Sequence, residues 1–469
     1  MSEYLLHYDP VNTNSWVYLS SLLMIGLFFK FSRLWSVRNL DLVLLILLAP
    51  GLLLVHHGDR KIREEAAALE KQSQADSDTP ANKSDNGNNQ LPKNNGGESD
   101  QAPFRPVETD GRKLSRGGYL WVLVISGFFL ARLLADSTMV RRPFLEPNLT
   151  TGGIIFIGVS LFLFLMANVI KGPAEPHRFP PPASSTPTLD EVQRNGPGYV
   201  MLNWLPRIQT FVSSDPKPNN AEVKFATTAR LLTIGSHLAI ILGLVVVGFR
   251  HFENTKMGLG AALIYLMLPY TAQMTGYVDH VLPAAMLVWA VVCYRIPIVA
   301  GIFIGLATGM VYYPLFLLPL WISFYWRKGA WRFVIAMLAT LALMAITLAF
   351  TSQDFQGFID SIKQMFGLWK PVMVGLHGIW GLGWSPFYRL PVLALFFVLS
   401  GTLAMWPAQK NLGTLICCSA AVMVATQFWH GFGGGMFMAW YLPLTLLTVF
   451  RPNLEDRVAL SMLNDGWRK

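Results

Sequence analysis

The stretch Pro297-Ile298-Val299-Ala300-Gly301-Ile302-Phe303-Ile304-Gly305-Leu306-Ala307-Thr308-Gly309-Met310-Val311-Tyr312-Tyr313-Pro314-Leu315-Phe316-Leu317-Leu318-Pro319-Leu320-Trp321-Ile322-Ser323-Phe324-Tyr325 contains no Lys, Arg, Asp or Glu. A bilayer core of about 30 Å takes about 20 apolar residues per helix, so the stretch is too long for one untilted crossing. Pro314 lacks a backbone N–H and interrupts a helix. The stretch therefore reads as two short helices forming a hairpin.

Similar apolar blocks lie near 16–32, 39–55, 119–135, 153–170, 229–249, 258–275, 281–294, 331–350, 390–406, 412–428 and 435–450. The expected fold class is all-α, a polytopic helical membrane protein of about 12–13 transmembrane helices. Composition agrees. Of 469 residues, 52% are hydrophobic and 14% charged, with a mean hydropathy of +0.39; soluble domains carry about 25% charged residues. Cys293, Cys417 and Cys418 all fall in apolar blocks, which excludes a disulfide framework and a four-cysteine zinc site. No basic segment precedes the first block, so no signal peptide is expected.

The net charge of +9 has a positional explanation. Lys30, Arg33, Arg38, Arg250, Lys256, Arg295, Arg327, Lys328, Arg332, Lys410 and Arg451 fall on one side when the blocks alternate, with Arg141, Arg142, Arg457, Arg468 and Lys469. The opposite short segments 1–15, 276–280 and 429–434 hold no Lys or Arg. Cytoplasmic loops concentrate such residues, which predicts a multi-pass protein of the plasma membrane with its N-terminus outside and its C-terminus cytoplasmic. The expected organisation is an N-terminal transmembrane hairpin (1–56), a disordered polar linker (57–118), a polytopic domain (119–450) with extracytoplasmic loops 172–228 and 351–389, and a cytoplasmic tail (451–469). The linker's charge is balanced in sign, which argues against nucleic-acid binding.

No P-loop, GxGxxG, GxSxG or HExxH pattern occurs in a fitting context. Charged residues are nearly absent from block interiors, where ion-coupled transporters usually place them. Asp41 reads as a residue at a helix terminus. The chemistry is expected in the outward loops. Asp279 and His280 share the short turn Gly276-Tyr277-Val278-Asp279-His280, where a carboxylate beside an imidazole can orient a hydroxyl, bind a metal or move a proton. Asp279 also suits a helix N-cap. Glu175, Asp190 and Glu191 are further candidates for a general base, each weighed against an ordinary solvated loop charge. With the early topology reversed, Asp136 and Glu146 become candidates instead. His377, Trp380, Trp384 and His430 complete the outward set, as sugar-stacking groups or interfacial anchors.

From Ala229 to Arg332 the order of motifs resembles the C-class (GT-C) polytopic glycosyltransferases, in particular the bacterial mannosyltransferase-like branch that uses polyprenyl-phosphate sugars. The resemblance is carried by Gly276-Tyr277-Val278-Asp279-His280-Val281-Leu282-Pro283, the small-residue run Ala300-Gly301 to Thr308-Gly309, Tyr313-Pro314-Leu315 to Pro319, and the basic turn Arg327-Lys328. It covers about a fifth of the chain. The chain departs from the family at Val311, where a lysine is usual, and no acidic motif in 172–228 matches the family's loop.

The resemblance implies a sugar transferred from a polyprenyl-phosphate donor to a glycan or lipid acceptor hydroxyl at the outer surface, with inversion. A carboxylate among Asp190, Glu191, Glu175 and Asp279 would be the base. His280, Arg194, Arg207, His377, Trp380 and His430 would line the substrate, and Arg178, Lys363 or Lys370 could also meet the phosphate. No organic cofactor is implied; a divalent metal stays open. The alternatives are a non-catalytic integral membrane protein of envelope assembly and an uncoupled transporter.

Overall fold

A computed structural model describes residues 13–77, 109–139, 145–171, 220–351, 355, 358–359, 376–408 and 410–452. Those residues form an all-α polytopic membrane protein. In chain order the helices are α1 (Thr13–Phe28), α2 (Val37–Ser77), α3 (Asp110–Leu134), α4 (Thr151–Lys171), α5 (Asn220–Arg250), α6 (Thr255–Met267) and α7 (Pro269–Gln273). There follow α8 (Val278–Val292), α9 (Pro297–Met310), α10 (Leu318–Tyr325), α11 (Ala330–Thr351), α12 (Arg389–Met405), α13 (Leu412–Trp429) and α14 (Leu442–Phe450). Among the described residues, 6 helices are long and apolar enough to cross a membrane, and shorter apolar helices pack among them.

The expected hairpin is present. After α9 the chain turns at Val311 and Tyr312, returns through a 3-10 turn (Tyr313–Leu317) and α10, and the Tyr325 hydroxyl then donates to the Tyr294 carbonyl beside the start of α9. Helix α11 runs parallel to α9 at close range. A Cβ on Gly301 would lie 2.5 Å from the Phe333 carbonyl, and one on Gly305 3.0 Å from that of Met337. Small residues let backbones approach where lipid offers no hydrophobic drive to association. The same device joins α2 to α3, antiparallel, with Gly58 against Ser115 and Gly118 against Val55.

The helix ends collect at two faces. Where α1, α3, α5 and α14 end and α2, α4 and α6 begin, Phe28 packs edge-on against Phe450 at 5.9 Å, Arg38 donates to the carbonyls of Phe28 and Glu146, and Lys256 pairs with Glu146 at 2.9 Å. This is the basic face. A buried charge network closes it: Arg132 meets Asp41 at 2.7 Å and Asp136 at 3.1 Å, and Arg451 pairs with Asp136. Asp41 is thus an ion-pair residue, and Asp136 and Glu146 lie on this face. At the opposite face His237 of α5 meets the Thr275 carbonyl at 3.1 Å. The connection from α4 to α5 leaves and returns there: Phe164, late in α4, stacks on Trp16 near the start of α1, 5.5 Å away.

Four expectations change. Helix α2 continues to Ser77 and α3 begins at Asp110, so both ends of the 57–118 segment are helical; its run Glu64-Glu65-Ala66-Ala67-Ala68-Leu69-Glu70-Lys71 consists of good helix formers. The block 258–275 breaks at Leu268, held extended (φ −57, ψ 131) before Pro269 as a residue preceding proline prefers. The block 435–450 is helical only from Leu442, apart from a 3-10 turn at Met438–Trp440. Finally, Tyr277 holds the N-cap position of α8 and Asp279 lies in the first turn, where the helix dipole favours a carboxylate.

Candidate functional site

At the opposite face the segment 430–441 turns back into the bundle before α14 begins. Its glycines permit this. Gly433 and Gly435 have φ of 77° and 92°, in the left-handed region that glycine enters without strain. The buried Gln427 amide oxygen accepts from the backbone N–H groups of Gly435 and Phe437, both at 3.2 Å, and fixes the turn. A short parallel bridge between β1 (His377–Gly378) and β2 (Phe432–Gly434) ties the segment before α12 to it. Trp380 adds a bond from Nε1 to the Phe428 carbonyl, 3.0 Å.

Beneath this turn lies a buried polar and aromatic cluster. His280 is 5% exposed; its Nδ1 is 2.5 Å from the Tyr270 hydroxyl, and its ring stacks on Phe437 at 4.4 Å. Asp279 is 3% exposed, and its carbonyl accepts from Trp440 Nε1 at 3.1 Å. Phe437 and Trp440 stack at 4.4 Å. His430, fully buried, packs against Phe437 and Tyr313. Tyr313 continues to Trp429, whose carbonyl accepts from Arg389 Nε at 2.6 Å. Arg389 is 6% exposed, and its guanidinium lies 6.0 Å from the Trp429 ring. One chain of contacts thus joins Asp279 and His280 to His430 and Arg389.

The expected site residues divide clearly. Asp279, His280 and His430 converge, and Trp380 braces the neighbouring segment. His377 is in β1 by its backbone. Glu175, Asp190, Glu191, Arg194 and Arg207 lie outside the described residues, as do Arg178, Lys363 and Lys370. Trp384 faces Arg116, 5.3 Å from ring to cation. The sequence reading missed Arg389, Tyr270, Tyr313, Gln427, Phe437 and Trp440. A signal existed for Arg389, an arginine opening an apolar block on the face whose short segments 276–280 and 429–434 carry no Lys or Arg.

Chemically the cluster offers two imidazoles and a guanidinium within an apolar wall, and Asp279 joins it through its main-chain carbonyl. A guanidinium matches a phosphate geometrically. Among the described residues no group of three His, Cys, Asp or Glu side chains could hold a metal ion. No family model matches the chain, and neither does any curated protein or solved structure.

Proposed function

We propose that the chain is a membrane glycosyltransferase that moves a sugar from a polyprenyl-phosphate donor to an acceptor hydroxyl, at the face bearing Asp279. The observation that carries this reading is the convergence of Asp279, His280, His430 and Arg389 at the end of the bundle where the 172–219 connection leaves and returns. The resemblance of residues 229–332 to the polyprenyl-phosphate branch supports the same choice. The short loops of the other face carry Lys and Arg, whereas the short segments 276–280 and 429–434 carry neither, which supports that other face being cytoplasmic. The transfer surface is then extracytoplasmic, at a bacterial plasma membrane.

In this reading Asp279 takes the proton from the acceptor hydroxyl as its oxygen attacks the anomeric carbon. The bond from that carbon to the donor's phosphate oxygen breaks, and the lipid phosphate leaves with the electron pair. Attack opposite the leaving group inverts the centre. Arg389 balances the phosphate charge, and the aromatic wall of Phe437, Trp440 and Tyr313 stacks on the sugar ring. His280, held by Tyr270, orients the sugar.

The test is sugar transfer in membranes supplied with polyprenyl-phosphate sugars. Wild type transfers, and Asp279→Asn loses at least about a hundredfold, the usual scale for a general base, with the protein still folded. Transfer undiminished in Asp279→Asn removes the assignment.

A second reading has its own observation. Asp279, His280 and His430 are at most 5% exposed and tied into the frame, as in the keystone of a non-catalytic envelope-assembly protein. That reading predicts no transfer from any lipid donor, with the same substitutions lowering stability.

A further inference from the structure

The basic face contains a cleft that the transferase reading does not use. It is an open depression of about 390 Å³ between the end of α1, the segment 145–150 and the start of α6, lined by Lys30, Glu146, Pro147, Asn148, Leu149, Thr150 and Lys256. The walls are fixed from behind by buried polar groups. Asn39, 1% exposed, donates to the Lys30 carbonyl at 2.9 Å and accepts from the Lys30 N–H at 3.2 Å. Arg38, 4% exposed, clamps the carbonyls of Phe28 and Glu146 at 2.7 and 2.8 Å. The Asn148 N–H reaches the Leu27 carbonyl at 2.7 Å. The two stretches carrying Lys30 and Glu146 are therefore locked at a set spacing before any ligand arrives.

The charges in the cleft do not cancel. Lys256 is matched by Glu146 at 2.9 Å, and Lys30 brings a second positive charge from another element. The lining totals two lysines against one glutamate. Arg38, clamped behind the wall, adds to this excess, so an anion is favoured in the cleft. The cleft also lies at the ends of apolar helices, the depth at which a bilayer presents its headgroups, and the adjoining Phe31, Leu34 and Trp35 are 70%, 55% and 88% exposed. Aromatic and apolar side chains so placed sit in the interfacial layer.

We propose that this cleft binds the phosphate of a phosphodiester, with Lys30 and Lys256 as its cationic contacts and Asn148 and Thr150 as polar ones. A phospholipid with an uncharged headgroup, such as phosphatidylglycerol, supplies the required charge. A zwitterionic headgroup returns a positive charge to a cleft that already has an excess. The site is independent of the reading of Asp279.

The experiment uses the purified full chain in two arms. In the first, native mass spectrometry measures retention of phosphatidylglycerol against phosphatidylcholine. In the second, the chain sits in phosphatidylcholine nanodiscs and inorganic phosphate binding is followed by phosphorus NMR line broadening. Preference for phosphatidylglycerol that falls about tenfold or more in Lys30→Gln/Lys256→Gln, near the 1 kcal/mol per cation expected at a membrane surface, supports a lipid ligand. Phosphate binding that falls in the same variant, with no lipid preference, supports the site with a free anion as its occupant. Arg327→Gln/Lys328→Gln, on the same face outside the cleft, keeps wild-type binding. Lys30→Gln alone, at an exposed side chain, serves if the double variant unfolds. Binding in both arms unchanged by the cleft substitutions, or absent from wild type in both, overturns the proposal.

Discussion

The Tyr270 hydroxyl and His280 Nδ1 are 2.5 Å apart in a buried site, and this pair joins α7 to the first turn of α8. The same hydroxyl meets the backbone at Ala439, so one oxygen links both helices to the segment that re-enters the bundle. Tyr270→Phe leaves the imidazole nitrogen without this bond. The expected loss is about 1–3 kcal/mol, the usual cost of stranding a buried polar group. Unfolding of the purified protein in detergent measures it.

Arg451→Met strands the Asp136 carboxylate from one of its two guanidinium partners at the basic face. Breaking one side of a buried ion pair costs about 3–5 kcal/mol. The charge-matched Asp136→Asn/Arg451→Met recovers part of that loss. A thermal unfolding series of the two variants against wild type checks the ordering.

Gly301→Val forces α9 away from α11. Its new Cβ would stand 2.5 Å from the Phe333 carbonyl, a contact that only backbone movement relieves. Overpacking of this kind costs about 1–3 kcal/mol. Gly401→Val, at a helix position whose Cβ would meet nothing within 4 Å, is the mild control in the same melting assay.

Glu146 supplies a pH dependence. Its bond to Lys256 holds the carboxyl below the ordinary glutamate value, with further help from the Lys256 charge. A lowered folded pKa stabilises the protein above the unfolded pKa, and that contribution disappears as pH falls through the ordinary value toward the folded one. The carboxylate is 51% exposed, so the contribution stays below about 1 kcal/mol and shrinks with salt. Melting temperature measured from pH 7 downward should fall slightly more for wild type than for Glu146→Gln, with the difference lost in high salt.

Sidedness gives a prediction independent of chemistry. A cysteine at Trp384, 39% exposed on the Asp279 face, should react with an impermeant maleimide added to intact cells; one at Trp331, 78% exposed at the start of α11, should not. Position 279 is too buried to label. The opposite pattern inverts the orientation.

Much of this fold was legible because apolar length is a one-dimensional signal. Pro314 and the excess length of 297–325 were enough to foresee the hairpin, and the positions of Lys and Arg foresaw which helix ends share a face. The extension of α2 was masked by its polar composition, although its residues favour helix. The re-entry at 430–441 was hidden because Gly433 and Gly435 read locally as a simple turn; only tertiary packing shows it inside the bundle. The site was legible in part for the same reason. Asp279 and His280 are adjacent in sequence, whereas Arg389, His430 and Phe437 reach them through contacts between distant segments. The signal for Arg389 was its place on the face opposite the basic loops.

The most direct test of the transferase reading is the landing place of a photoreactive polyprenyl phosphate incorporated into membranes with the full chain. The account predicts crosslinked peptides from 268–285, 386–393 and 427–441, displaced by unlabelled sugar donor and diminished by Arg389→Gln. Crosslinks confined to the basic face, or unaffected by donor, would contradict it.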